Sequence, residues 1–119
     1  MIKTDFMPDL IDAIDNSDTD KFMTFMTEDV TFRFGNGQPV EGWERVKEVV
    51  GGFFNSIKTL EHSVNDVWHT DDAIVSHGIV TYTRHDDSTL TVPFANIFKM
   101  KGERIKDYLI FADISELYK

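Results

Sequence analysis

Apolar positions first recur at helical spacing: Met7, Leu10, Ile11 and Ile14 fall on one face of a predicted helix. In the stretch NSDTDKF, Ser17 or Asp18 can cap a second, short helix with Asp20 in its first turn. Phe22, Met23, Phe25 and Met26 supply its buried side. Alternation then replaces helical spacing. In DVTFRFGNG, Val30, Phe32 and Phe34 alternate with Thr31 and Arg33, which predicts a half-buried strand ending in a Gly/Asn turn. A long helix follows over residues 43–57. Trp43, Val46, Val49, Val50, Phe53, Phe54 and Ile57 form one wide apolar stripe, with Glu44, Arg45, Lys47 and Glu48 opposite. Gly51 and Gly52 interrupt it, each costing about 1 kcal/mol relative to Ala in a helix interior. Close packing of the helix on a sheet, or a bend, would account for them.

From Leu60 the pattern is that of strands. LEHSVNDVWHT, AIVSHGIVTYTR, TLTVPFANIFKM and RIKDYLIFADI are separated by short turns at Asp71-Asp72, HDDS and KGE. Short turns between long strands predict an antiparallel meander. Pro93 cannot donate to a ladder and calls for a bulge or an edge position. The expected fold class is α+β: a curved antiparallel sheet over residues 60–114 wraps the long helix as a cone with an internal cavity, preceded by two further helices. A single domain is expected to span residues 1–119.

Composition narrows the partners. The 119 residues suffice for one core, and ten Phe suit a large apolar interior or pocket. A net charge of −9, from 21 acids against 12 bases, repels phosphate backbones and anionic membranes, so neither nucleic acid nor membrane is expected as a partner. The absence of cysteine excludes disulfides, a thiolate nucleophile and cysteine-ligated zinc. Met1 to Pro8 lack a basic region followed by an apolar stretch, and no apolar run reaches about 18 residues, so a cytoplasmic location is the expectation. Neither GNG nor VGGF follows the strand-to-helix glycine fingerprint of a nucleotide loop, and no Ser sits in a nucleophile elbow. No cofactor is expected. The four histidines, His62, His69, His77 and His85, show no metal-ligand spacing.

EDVTFRF after a short helix, GNGQPVEGWERV opening the long one, LEHSVNDVW, VPFANIFKMKGERI and the terminal YLIFAD occur in that order along nearly the whole chain. Together they resemble the SnoaL-like branch of the nuclear transport factor 2-like superfamily. The resemblance implies an α+β cone, commonly dimeric through its sheet. The superfamily includes polyketide cyclases, ketosteroid isomerases, limonene epoxide hydrolases, scytalone dehydratases and non-catalytic binding modules, so the fold does not settle the function. GIVTYTR ends in Arg84 without an Arg-x-Asp arrangement in its middle, a departure from the epoxide hydrolase pattern. The dehydratase pattern asks for two cavity histidines, which His62 and His77 could supply. The isomerase pattern asks for an acid on the early strands, where residues 31–34 offer none and Glu41 is near.

The candidate chemistry is sparse. Alternation groups Ile105, Asp107, Leu109, Phe111 and Asp113 on one strand face, against Lys106, Tyr108, Ile110 and Ala112. The resemblance implies a pocket-facing acid at Asp113. If buried beside Phe111, it would serve as general acid or base. Otherwise it is a structural acid that caps backbone N–H groups at a strand end. Asn96, between Phe94 and Phe98, either orients a ligand carbonyl or pairs with backbone near Pro93. His62 shares a face with Val64, Asp66 and Trp68, and the resemblance places its strand near the cavity, so it joins Asp113 as a catalytic candidate. Phe32, Trp68, Phe98 and Phe111 are expected to hold the ligand together with Asn96. Tyr82 and Tyr108 are possible phenol donors. They are more readily read as sheet-surface or interface aromatics, and with Val80 they are the residues expected on a convex face buried in a homodimer. Two functions follow: proton transfer on a small, apolar, carbonyl-bearing molecule, or binding of a hydrophobic ligand without turnover.

Overall fold

A computed structural model describes residues 6–118. Helices α1 (Met7–Asp15) and α2 (Thr19–Met23) lead into strand β1 (Met26–Phe34), a two-residue strand β2 (Val40–Glu41) and helix α3 (Trp43–Ser56). Strands β3 (Thr59–His69), β4 (Ala73–Thr83), β5 (Thr89–Lys101) and β6 (Arg104–Ala112) follow. Asp18 caps α2 by accepting a hydrogen bond from the Lys21 N–H at 3.1 Å. Gly42, at φ +95°, turns the chain into α3 while its N–H donates to the Val30 carbonyl at 2.9 Å. Only glycine takes such a φ without strain.

The sheet has six strands in the order β2-β1-β6-β5-β4-β3. β3 to β6 form the expected antiparallel meander. The first strand joins it parallel to β6, so the whole sheet is mixed. Pro93 sits one residue beyond the last β5–β6 pair, Phe94–Ala112, at an open edge where its missing N–H costs nothing. The helices pack on the concave face, where Leu10, Met23, Val46, Val50 and Phe54 meet Val30, Ile74, Val80, Phe98 and Ile105 in one core. Among the described residues no helix is long and apolar enough to cross a membrane.

Two β-bulges set the inside and the outside of this sheet. Val64 lies opposite Gly78 and Asp66 opposite His77, so Asn65 is an extra residue in β3. Lys99 lies opposite Asp107 and Met100 opposite Ile105, so Lys106 is extra in β6. An inserted residue moves every later side chain to the other face. The groupings read by unbroken alternation are therefore corrected. Leu60 and His62 face inward, but Asp66 and Trp68 face outward. Ile105, Tyr108, Ile110 and Ala112 point to the concave side, and Asp107, Leu109 and Phe111 away from it. Val80, Tyr82 and Tyr108, expected on the convex face, are all buried inside the cone.

The glycines of α3 do not bring it close to the sheet. A Cβ on Gly51 would meet only the Thr19 side chain, at 3.8 Å, and one on Gly52 would meet nothing within 4 Å. The close approach is at Gly78, where an added Cβ would lie 2.0 Å from the Ser63 carbonyl oxygen beside the β3 bulge. Gly52→Ala should therefore raise unfolding stability by about 0.5–1 kcal/mol. Gly78→Ala should lower it by about 1–3 kcal/mol. Denaturant titration of the two variants checks both signs, and equal effects would contradict this packing.

Candidate functional site

A cavity lies between α3, the concave face of the sheet and the C-terminal segment, and the volume of about 1370 Å³ also takes in a stretch of the convex face. Phe22, Phe32, Phe34, Phe53, Phe54 and Phe94 form most of its apolar wall. The segment after β6 closes one end. Arg84 Nε donates to the Leu117 carbonyl at 2.8 Å and Nη2 to the Glu116 carbonyl at 2.9 Å. The Tyr118 and Ser56 hydroxyls are hydrogen-bonded at 2.8 Å, and Leu117 is buried. Arg84 thus fixes the chain's last turn by satisfying carbonyls that would otherwise lack donors. The lining also includes His77, Pro93, Ala95 and Phe111, from β4, β5 and β6.

His62 is the polar centre of the wall. Its Nδ1 lies 2.7 Å from Asp15 Oδ1, and its backbone N–H donates to Asp15 Oδ2 at 3.0 Å. A carboxylate only accepts, so Nδ1 carries the proton and donates it. Both Asp15 oxygens are thereby used to fix one histidine. The ring stands edge-on to Phe94, with centroids 5.1 Å apart, and Nε2 has no protein partner among the described residues. Asp15 was not singled out in the sequence. The signal was nevertheless there: it ends α1, where a carboxylate opposes the helix dipole and calls for a partner.

The other candidates separate. Asn96 is 3% exposed and lines the cavity, and its Oδ1 is sealed off without a hydrogen-bond partner. The backbone pairing expected for it near Pro93 does not account for that oxygen. Ser76, directly opposite in β4, likewise has an unpartnered buried hydroxyl. Phe32 lines the cavity, whereas Phe98 lies wholly in the core, with its ring 4.7 Å from that of Tyr108. Trp68 and Phe111 are 53% and 51% exposed on the convex face, turned outward by the bulges at Asn65 and Lys106; Trp68 is apart from the cavity, and Phe111 meets only the part of it that reaches that face. His77 is also outside, 3.3 Å from Asp66. Asp113 lies at the cavity rim but is exposed rather than buried. Its Oδ1 accepts from the Ser115 N–H at 3.0 Å, the backbone-capping role. Among the described residues no three His, Asp or Glu gather to hold a metal ion.

Two tyrosines enter instead. Tyr82 and Tyr108 are 3% and 2% exposed and line the cavity. Burial pushes the Tyr82 phenol above its usual value of 10.0, and the nearby Tyr118 phenol adds to the effect. Burial also raises that of Tyr108, followed by the Tyr82 phenol and the Asp15 carboxylate. Both are neutral donors near physiological pH. An unfolded chain releases these protons at about pH 10, while the folded one holds them. Their contribution to stability is complete below that pH and is lost as pH rises beyond it. In an alkaline titration followed by tyrosinate absorbance, two of the three tyrosines should ionise only as the cone unfolds. Smooth titration of all three in the folded protein would contradict their burial.

No curated protein sequence matches the chain significantly. Solved structures match it throughout. A protein from Jannaschia sp. CCS1 described as a SnoaL-like polyketide cyclase is 20% identical, with a TM-score of 0.81 over 94% of this chain and 85% of that one. A Catenulispora acidiphila protein of ketosteroid isomerase-like fold, solved with trimethylamine, is 14% identical, with a TM-score of 0.85 over 95% of this chain and 88% of that one. TerC, co-crystallised with polyporic acid, is 15% identical, with a TM-score of 0.80 over 94% of this chain and 92% of that one. At these identities the likeness is one of fold. The SnoaL-like domain model matches residues 8–108; with the six-stranded cone around α3, this shows that the chain belongs to the SnoaL-like domain family.

Proposed function

We propose that this protein binds a small, apolar, carbonyl-bearing molecule inside the cone and moves a proton on it, with His62 as the base. The observation that carries this reading is His62, held by Asp15 behind it, in the wall of a largely apolar cavity. Asp15 holds Nδ1 protonated, which leaves Nε2 as the basic nitrogen. In the reaction a C–H bond next to the carbonyl breaks. Its electron pair moves into the new C–C double bond, and the carbonyl π pair moves onto oxygen. His62 becomes imidazolium, stabilised by the carboxylate behind it, and later returns the proton. Isomerisation, cyclisation and dehydration of ketones all begin with this step. The base role expected for Asp113 passes to His62, because Asp113 stands in solvent at the rim.

The test uses 2-acetylnaphthalene in D₂O, with deuteration of its methyl group followed by NMR. The native protein should speed exchange, and His62→Gln should lower the rate by about 100-fold or more. Asp15→Asn should lower it by a smaller factor. Binding of the ketone without accelerated exchange would leave a ligand-binding module and overturn the base assignment.

We also propose that two copies pair through the convex face. Trp68, Ile79 and Phe111 are exposed large apolar residues on that face, and Pro93 and Ala95 lie opposite Ile79 and Phe111. Such a patch marks an interface more often than free surface. These residues replace the inward-facing Val80, Tyr82 and Tyr108 as the expected contacts. Sedimentation at micromolar concentration should give twice the chain mass, and Phe111→Asp should give one chain mass. A monomeric native protein would overturn the proposal.

A further inference from the structure

The pair in its wall decides the charge that a ligand meets in the cavity. A neutral His62, the state in which Nε2 accepts a proton, leaves Asp15 as a part-buried carboxylate held by two hydrogen bonds from that residue, at 2.7 and 3.0 Å. Those bonds fix the carboxylate but bring no opposite charge. Among the described residues no lysine or arginine pairs with Asp15. The one permanent cation in the lining, Arg33, is exposed and gives its Nε to the Gly37 carbonyl at 3.0 Å. The wall thus holds one uncompensated negative charge, and its field reaches the interior. After burial and the Tyr82 phenol, the Asp15 carboxylate opposes ionisation of the cavity-lining Tyr108. A field that opposes a new anion favours a cation in the same place.

The remaining walls suit such a charge. Phe34, Phe53 and Tyr82 form one run of neighbouring rings, with centroids 5.5 and 6.0 Å apart. Phe22, Tyr108 and Phe32 form another, at 5.4 Å and 5.4 Å. All six line the cavity. Within the two runs the rings meet at 42°, 89°, 47° and 41°, so they do not cover one another's faces by stacking. The face of an aromatic ring is negative and attracts a cation, and groups of rings recognise methylated ammonium. Such a cation has no N–H donors to leave unpaired in walls that offer few acceptors.

We propose that the ligand of this cavity carries a permanently charged, alkylated ammonium group, so that the site selects cationic ketones over neutral or acidic ones of the same shape. This rests on the reading of the cavity as a ketone site with His62 as base, because the neutral histidine is what leaves Asp15 uncompensated. The ammonium group takes no part in the bond changes. It stays against the aromatic walls while the proton passes from carbon to Nε2 and back, and its charge offsets that of Asp15 as negative charge develops on the carbonyl oxygen.

Calorimetric binding of two isosteric ketones to the full chain tests this at about pH 8, above the usual range of histidine titration. One is 4-acetyl-N,N,N-trimethylanilinium. The other is 4-tert-butylacetophenone, in which carbon replaces the charged nitrogen. The native protein should prefer the cation by about tenfold. Asp15→Asn should lower that preference severalfold. Asp113→Asn removes the same formal charge at the rim and should leave it unchanged. In 1 M NaCl, where surface charges are screened within about 3 Å, the native preference should persist, a readout that holds even where Asp15→Asn fails to fold. Equal binding, tighter binding of the neutral ketone, or a preference abolished by salt or by Asp113→Asn would overturn the cation assignment. Deuteration of each methyl ketone, measured against its uncatalysed rate, reports on the base separately. Preference without accelerated exchange leaves the cation site standing and removes the base. Accelerated exchange without preference does the reverse. If the native protein binds neither ketone, both fall.

Discussion

The placement of one extra residue in each of two strands governs what the cone contains. A strand has two faces, and a side chain's face is fixed only relative to its neighbours. Asn65 in β3 and Lys106 in β6 each reset that relation part-way along. Without the first, Trp68 and Asp66 would turn inward together with His62. Without the second, Asp107 and Leu109 would occupy the positions of Tyr108 and Ile110, and a carboxylate would sit where the aromatic core now lies. Burying an unpaired carboxylate there would cost far more than the ladder hydrogen bonds a bulge gives up. The bulges also sharpen the bend of the sheet around α3, and Gly78 is the position at which β3 can cross so close to β4.

A core arranged in this way can hold few polar groups, and Asp15 and Arg84 use theirs on the protein itself. Asp15 gives both oxygens to His62. Arg84 gives its guanidinium to the carbonyls of Glu116 and Leu117 and to the β4–β5 turn, where Nη1 meets Ser88 Oγ at 3.1 Å. Asn96 and Tyr108 differ from these. They are buried, they line the cavity, and they lack protein partners among the described residues. Buried polar groups are normally satisfied, and the Asn96 Oδ1, shut off even from the cavity, is an exception. The same separation keeps most of the net charge of −9 outside: Asp113 meets the cavity only at its rim, and the part-buried Asp15 is paired with His62.

The sequence by itself determined the order and type of the elements. The apolar stripe from Trp43 to Ile57 has helical period, and the strands after Leu60 have period two with turns too short for any pairing but antiparallel. Those are local signals, carried by neighbours in the chain. The short β2 and the parallel pairing of β1 with β6 left no such signal, because both depend on where distant segments come to rest. The lining of the cavity was only partly legible. His62, Asn96 and Phe32 line it, Phe111 and Asp113 join it from the convex face and the rim, and Trp68 and Phe98 lie apart from it, one turned outward past the bulge at Asn65 and the other into the core. Asp15 lies 47 residues from His62, and only the packing of the end of α1 against β3 brings them together. A bulge costs a ladder contact or two and leaves composition and spacing unchanged, so tertiary structure alone decides which face of each strand becomes the inside.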